Sequence, residues 1–157
     1  MSFLGLSVVS LYQGDYTTAE EYAKKALQIT QDLGDKSRIA SVFGFLGSYA
    51  SHQKDYNKAE DFFKKELKIV KELGNKELIA SALEDFSGLA KEQKKYTESK
   101  RRYKESLKLF EEIGAKNTIA LTQKLLETTE EIKKLHHVLE LKRQEQKALY
   151  EKKIKNI

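Results

Sequence analysis

The sequence predicts an all-α protein made of stacked helical hairpins, and an internal repeat is the first reason. Aligning residues 14–53 with 54–93 pairs identical residues at 16 of 40 positions, and a further shift of the same length keeps 10. The second reason is that apolar residues recur with helical spacing, while no stretch alternates with period two for long enough to form a sheet. A fixed period of this length is typical of repeats that each contact only their neighbours.

Each repeat is predicted to start with a first helix, placed at about 36–53 in the second repeat. Asp35 precedes it and Asn75 precedes the next first helix, where a short polar side chain accepts hydrogen bonds from the free amides of the first turn. Apolar residues at i, i+3, i+4 and i+7 spacing mark the buried face. That face contains Ile39, Ala40, Val42, Phe43, Leu46, Tyr49 and Ala50.

A second helix is predicted at about 57–73. We expect Asn57 to cap it, with Glu60 three residues later completing a capping-box pattern, and Thr17 to act likewise one period earlier. Gly74 follows the last turn, where a helix ends because glycine adopts the left-handed conformation without steric cost. The predicted buried face of this helix contains Ala59, Phe62, Phe63, Leu67, Val70 and Leu73.

Each hairpin covers one of its two apolar faces internally, so the next hairpin must cover the other and the repeats stack into a superhelix. A basic helical extension or cap follows at 134–157, with seven Lys or Arg against three Glu. No Gly or Pro lies between 118 and 157, so one long helix and two helices hinged near His136 and His137 both fit. The superhelix at 1–133 is divided into repeats at about 1–34, 35–74 and 75–114 and a first helix at 118–133.

Composition argues against a chemical site. The 157 residues contain no Cys, which excludes disulfides and thiolate metal sites. No glycine-rich phosphate loop is present, and the three histidines lack the i, i+4 spacing of a good metal chelate. We therefore expect no enzymatic activity, no cofactor and no metal.

Charge and the N-terminal stretch bear on partners and location. The net charge of +5 is concentrated in the tail. A nucleic-acid-binding groove needs basic residues along the repeats, so nucleic acid is not an expected partner. The N-terminal stretch lacks the features of a signal peptide and is too short to span a membrane. Together with the absence of cysteine, these features favour a cytoplasmic protein without a membrane partner.

Eight positions of the second repeat carry large and small residues in a fixed order: Phe43, Leu46, Gly47, Ala50, Tyr56, Ala59, Phe63 and Leu67. This order resembles the tetratricopeptide-repeat (TPR) family, whose usual repeat is about 34 residues long. The period of 40 and the Leu-Gly-Asp or Leu-Gly-Asn linker are similar to the longer repeats of kinesin light chains and of many bacterial and archaeal regulators. The resemblance implies a right-handed TPR-like superhelix, and Glu66 departs from the small residue of the family pattern.

The resemblance also implies a function, because the first helices of this family line a concave surface that holds a protein or peptide partner. We therefore expect a non-enzymatic scaffold or adaptor. Phe45 lies off the buried stripe, so its ring either faces the groove as an anchor or packs on a neighbouring first helix. Glu84, Asp85 and Glu92 form an acidic patch that either takes a Lys or Arg of the partner or is simply solvated. The predicted partner-binding residues are Ser41, Phe45, Ser48, His52, Ser81, Glu84, Asp85, Gly88 and Glu92.

Two alternatives remain open. One is a peptide- or ligand-sensing regulatory module of a larger system, which requires an effector domain that is not recognisable in these residues. The other is a self-assembling structural protein. Leu4, Val8 and Leu11 give the N-terminal helix a second apolar stripe, and a helix that is apolar all round is normally buried. A missing repeat, the folded-back tail or a homo-oligomer through the N-terminal or C-terminal helix would cover it.

Overall fold

In the computed structural model, residues 2–155 are described, and they form seven helices without a strand. Residues 1, 156 and 157, which belong to the predicted first repeat and C-terminal extension, lie outside this range. The predicted all-α helical-repeat fold is confirmed. The helices are α1 (Phe3–Tyr12), α2 (Tyr16–Asp32), α3 (Lys36–His52), α4 (Tyr56–Leu73), α5 (Lys76–Glu92), α6 (Tyr96–Ile113) and α7 (Lys116–Lys155).

The helices pack as hairpins that curve around one side. The main contacts pair α1 with α2, α3 with α4 and α5 with α6, and each second helix also meets the following first helix. In addition, α1 contacts α3 and α3 contacts α5. Between residues 2 and 155, no comparable contact joins α2 to α4 or α4 to α6. The first helices α1, α3 and α5 therefore lie on the inner, concave side of the stack, as the family resemblance implied.

The apolar core is distributed along the stack. Phe63 of α4 is 2% exposed, and its ring centroid lies 5.9 Å from that of Phe86 on α5. Val42 of α3 packs in another cluster with Ala23 of α2. Each cluster thus joins one hairpin to the next, which is the nearest-neighbour arrangement expected of a repeat protein.

Aspartates, rather than the predicted residues, cap the second helices α2 and α4. The side chain of Asp55 accepts a hydrogen bond from the backbone amide of Lys58 at 3.2 Å, and Asp15 occupies the same position before α2. The predicted caps Asn57 and Thr17 were wrong, because both residues lie inside the first helical turn. An aspartate two positions earlier reaches the free amides of that turn first.

The other predicted helix ends are confirmed. Asp35 accepts a hydrogen bond from the amide of Arg38 at 3.0 Å, and Asn75 caps α5 in the same way. Gly74 takes a φ of 67° at the end of α4, and Gly114 a φ of 69° at the end of α6. Gly74 thus ends α4 at the predicted position, and Gly114 ends α6 in the same left-handed conformation.

The C-terminal helix α7 is a single helix of 40 residues, so the alternative with a hinge is wrong. Its first half packs on α6, where Lys100 and Glu130 form an ion pair of 2.7 Å. The ring of His136 meets the ring of Tyr96 edge-on, with centroids 5.7 Å apart. The proposed boundary between 133 and 134 falls inside this helix and stays a prediction. Exposed apolar side chains beyond His136 are Val138, Leu139, Leu141, Leu149, Tyr150 and Ile154.

Candidate partner-binding groove

Two adjoining pockets lie on the concave side between α3 and α5. The first pocket has a volume of about 270 Å³ and the second about 290 Å³. Ser48 and Asp85 line both pockets, so the two form one groove, which we call the acidic groove. All nine predicted partner-binding residues line it, and their role in binding stays a prediction. The first pocket holds Ser41, Phe45, Ser48, Ser81 and Asp85, and the second holds Ser48, His52, Glu84, Asp85, Gly88 and Glu92.

Hydroxyl groups from neighbouring helices orient two carboxylates of the groove. Ser51 Oγ of α3 donates a hydrogen bond to Glu92 Oε2 of α5 at 2.6 Å. Thr122 Oγ1 of α7 donates to Glu84 Oε1 of α5. Because donor and acceptor belong to different repeats, the stacking of the repeats fixes where these carboxylates point. Sequence analysis did not identify Thr122 as part of the site.

A third carboxyl group, Glu66, enters the first pocket from the second helix α4 and was not among the predicted binding residues. Glu66 is 7% exposed, and its Oε2 atom has no hydrogen-bond partner among the described residues. Burial and the nearby charge of Asp85 raise the pKa of Glu66 to about 8. In the free protein at neutral pH, the group is therefore mostly the uncharged acid.

Gly44 makes the space that Glu66 occupies. A Cβ atom at Gly44 would stand 2.5 Å from Glu66 Oε1 and 2.9 Å from its Cδ, so the carboxyl lies directly against the backbone of α3. One period earlier, the equivalent positions hold Leu4 and Ala26, with the large residue on the first helix. The departure at Glu66 from the family pattern, combined with a glycine 22 positions before it, was the sequence signal for this contact.

The remaining acidic residues make the groove strongly negative. Asp85 is open to solvent at the surface of the groove, but the surrounding protein and the charge of Glu84 raise its pKa to about 6. Burial raises the pKa of Glu84 as well, and the hydrogen bond from Thr122 opposes part of that effect. Burial, followed by these two carboxylates, raises the pKa of Tyr103 to about 12. Burial is the largest cause of all three pKa shifts, and neighbouring carboxylates add to it at Asp85 and Tyr103.

Several carboxylates outside the acidic groove are paired with cations instead. Glu60 lies 2.8 Å from Lys64, and this partner lowers the pKa of Glu60. Glu20 pairs with Lys24 at 3.0 Å in the same way. No ion pair found within residues 2–155 includes a carboxylate of the acidic groove, and no Lys or Arg lines either pocket.

A family model that matches most of the chain shows which family the chain belongs to. A tetratricopeptide repeat family model matches residues 2–72 and, in a second placement, residues 38–112. The chain belongs to the tetratricopeptide-repeat family. A search of curated proteins found no significant match to this TPR chain.

Solved structures with the same fold include three helical-repeat proteins. The apo form of RapI has a TM-score of 0.73 and 22% identity, and the alignment covers 87% of this chain and 38% of RapI. BtubC (BKLC) from P. vanneervenii has a TM-score of 0.60 and 15% identity, covering 87% and 62%. The N-terminal domain of stress-induced protein-1 (STI-1) from C. elegans has a TM-score of 0.55 and 16% identity, covering 77% and 91%. At these identities the likeness shows the fold alone, and the TPR chain spans less than two thirds of RapI and of BtubC.

Phe45 of the TPR chain both packs on the core and lines the groove, and its role as an anchor stays a prediction. It is half-buried and packs against the cluster that contains Val42 and Leu46, and Leu4 of α1 packs against the same cluster. The same side chain also lines the first pocket of the acidic groove. Its ring is thus held by the core on one side and presented to the groove on the other.

The predicted self-association residues lie at the N-terminal end of the TPR stack. Val8 is 36% exposed, while Leu4 and Leu11 are half-buried. Val8 and Leu11 line a third pocket of about 470 Å³ together with Phe45. Self-association through these residues stays a prediction.

Two further observations concern membranes and metals. None of the seven helices is both long and apolar enough to cross a membrane. In the part of the chain from residue 2 to 155, no three His, Cys, Asp or Glu side chains come together in a metal-binding arrangement.

Proposed function

We propose that this TPR chain is a non-enzymatic scaffold that holds a protein or peptide segment in the acidic groove. The observation that carries the proposal is one continuous groove on the concave side, lined by the first helices and closed behind by α4, α6 and α7. Family membership supports it, because stacked helical repeats create extended concave binding surfaces. A cytoplasmic location stays a prediction.

The mechanism we propose is binding to a surface that is already ordered. The hydrogen bonds to Glu84 and Glu92 hold their carboxylates in place before a partner arrives, and the core holds one side of Phe45. A partner then loses little free energy to ordering of the groove, which favours affinity. Phe45 serves as the aromatic anchor, and aromatic residues of this kind are enriched among the residues that dominate binding energy.

The test is peptide binding by a groove variant. Random twelve-residue peptides displayed on phage are selected on the full chain, and their affinities are measured by fluorescence polarisation. The double variant Phe45→Ala, Asp85→Lys is expected to lose binding by about tenfold or more while it stays folded by circular dichroism. The control, Tyr150→Ala with Asp61→Lys, removes one exposed aromatic ring and reverses one charge outside the groove. Binding that is equally strong in the groove variant would contradict the proposal.

Self-assembly through α1 is a second candidate, favoured by the apolar side chains that this helix leaves exposed. Phe3 is 38% exposed, Val8 36% and Val9 41%. Sedimentation of the full chain and of a Val8→Lys, Val9→Lys variant separates the two cases. If the natural chain is an oligomer and the variant is a monomer, self-assembly through α1 is supported. If both proteins are monomers, self-assembly is excluded. The sensing alternative rests only on the family resemblance.

A further inference from the structure

We propose that the first pocket of the acidic groove binds the guanidinium group of a partner arginine, with Glu66 and Asp85 as its carboxylate acceptors. The inference rests on the proposed function and specifies the chemistry of the bound segment. It adds Glu66, a second-helix residue, to a surface otherwise built from first helices.

The first step of the argument is that Glu66 lacks a partner where a partner is needed. Glu66 is 7% exposed, and its Oε2 atom neither donates nor accepts a hydrogen bond within the described chain. A buried polar group without a hydrogen bond is unfavourable, and native proteins contain few of them. Glu66 lines the first pocket, so a donor entering from the groove would satisfy it.

The second step is the charge of the pocket. Asp85 lines the same pocket from α5, and its charge acts on Glu66. Neither carboxyl group has an ion-pair partner in the described structure, although ten such pairs are present elsewhere. A single cation between the two would relieve their repulsion and compensate the burial of Glu66.

The third step distinguishes arginine from lysine. A guanidinium is planar, carries five donors and binds carboxylates through two parallel hydrogen bonds, and it stacks on aromatic rings. The pocket offers carboxyl groups from two different helices and the ring of Phe45. Its volume of about 270 Å³ is enough for one long side chain.

The fourth step is that the fold does not require Glu66. One period earlier, Leu4 packs against the cluster that contains Ala26, so an apolar pair fills the equivalent contact and the hairpins still stack. The second repeat instead has Gly44 and Glu66, which exchanges the large and small positions and places a carboxyl group at the groove. Glu66 in place of a small apolar residue gives the first pocket a buried hydrogen-bond acceptor, which an apolar pair would not provide.

Proton release provides an independent readout. Glu66 is mostly protonated near pH 7 in the free protein, so binding a cation favours loss of that proton. The other titratable groups that line the groove are Asp85, Glu84 and Glu92 of α5, His52 of α3 and Tyr103 of α6. Affinity for an arginine peptide is therefore expected to rise between pH 6 and pH 8, and the rise is expected to weaken in Glu66→Gln.

The experiment uses the peptides selected on the full chain that lose binding to the Phe45→Ala, Asp85→Lys variant. We expect these peptides to share an arginine, and replacement of that arginine by citrulline, its neutral isostere, to weaken binding by about tenfold or more. Glu66→Gln is expected to weaken it by a similar factor. The double variant Gly44→Leu, Glu66→Ala, which gives the second repeat the residues of the first, is also expected to weaken binding by a similar factor. The control Glu21→Gln removes an exposed carboxylate of α2 and should leave affinity within about twofold.

Each other outcome contradicts a defined part of the account. Groove-binding peptides without arginine, or with a lysine in its place, overturn the guanidinium site and leave the proposed function standing. Peptides that need arginine but bind Glu66→Gln as tightly as the natural chain overturn the role of Glu66. If no selected peptide distinguishes the groove variant from the natural chain, both the site and the proposed function fail.

Discussion

The first and second repeats place side chains of different size at the same two packing contacts. In the first repeat, the α1 residues Leu4 and Ser7 stand at the positions equivalent to Gly44 and Gly47 of α3. On the second helix of the first repeat, the residues opposite them are Ala26 and Ala23, which are small. On the second helix of the second repeat, the corresponding residues are Glu66 and Phe63, which are large.

The difference teaches that the large side chain at such a contact is not tied to one helix of the hairpin: Leu4 comes from the first helix, whereas Glu66 and Phe63 come from the second. A Cβ at Gly47 would stand 2.7 Å from the ring of Phe63, and one at Gly44 would stand 2.5 Å from Glu66. The two glycines therefore fit two large side chains of α4. Phe63 uses its space for the core, whereas Glu66 uses its space to reach the acidic groove.

The largest expected effect comes from giving the second repeat the residue of the first. Phe63→Ala creates the equivalent of Ala23, but Gly47 opposite it cannot fill the cavity. Because Phe63 is 2% exposed, we expect a loss of about 3–5 kcal/mol in the free energy of unfolding, measured by urea titration. A loss below about 1 kcal/mol would show that the repeats are packed loosely enough to collapse around the cavity.

The second prediction concerns Glu66 and pH. Because its pKa of about 8 in the folded protein lies above the ordinary value of 4.5, the folded protein binds this proton more tightly than the unfolded chain. The contribution of Glu66 to the free energy of unfolding therefore falls as the pH rises from about 4.5 to about 8. Glu66→Gln should abolish this fall. Relative to the natural chain, the variant should therefore gain roughly 4 kcal/mol in the free energy of unfolding between pH 4.5 and pH 8.5, measured by urea unfolding. Parallel pH profiles for the natural chain and Glu66→Gln would contradict it, and Glu21→Gln is the control.

The third prediction separates the two glycines. Gly47→Ala places a methyl group against the rigid, buried ring of Phe63, and we expect a loss of about 1–3 kcal/mol in the free energy of unfolding. Gly44→Ala meets the flexible end of Glu66, which can move toward the groove, and alanine favours the helix by about 1 kcal/mol. Calorimetry should therefore find Gly44→Ala within about 1 kcal/mol of the natural chain. Equal losses in both variants would mean that Glu66 cannot leave its position.

The smallest effects concern the caps of the second helices. Asp55 caps α4, whereas its counterpart Lys95 makes no side-chain hydrogen bond to α6. Lys95→Asp should add about 1 kcal/mol to the free energy of unfolding, and Asp55→Ala should remove about as much, both measured by thermal melting. No gain from Lys95→Asp would indicate that another contact of Lys95 offsets the cap.

The sequence was sufficient to predict features that depend on short stretches of chain. The period, the helices and the glycine at Gly74 all follow from local patterns. The capping of α4 was predicted wrongly because Asp55 and Asn57 both suit a helix start, and only the position of the first turn decides between them.

The groove was predictable only in part, because its details depend on how repeats stack. The residues on its floor could be carried over from the family. The hydrogen bond from Thr122 to Glu84 crosses 38 positions of sequence and requires the actual placement of α7 on α5 and α6. Glu66 was recognised as a departure from the family pattern, but its approach to the groove depends on the space left by Gly44 on another helix.

The most direct test is the pKa of Glu66 itself, because the comparison of the two repeats rests on its burial without a partner in the space beside Gly44. Side-chain carboxyl ¹³C shifts of the free protein are followed by NMR as a function of pH, with Glu66→Gln used to assign the signal. The account predicts a titration near pH 8, well above the ordinary value of 4.5. A titration at or below 4.5 would mean that Glu66 is solvated or already paired, and the carboxyl group would not be available to the groove as described.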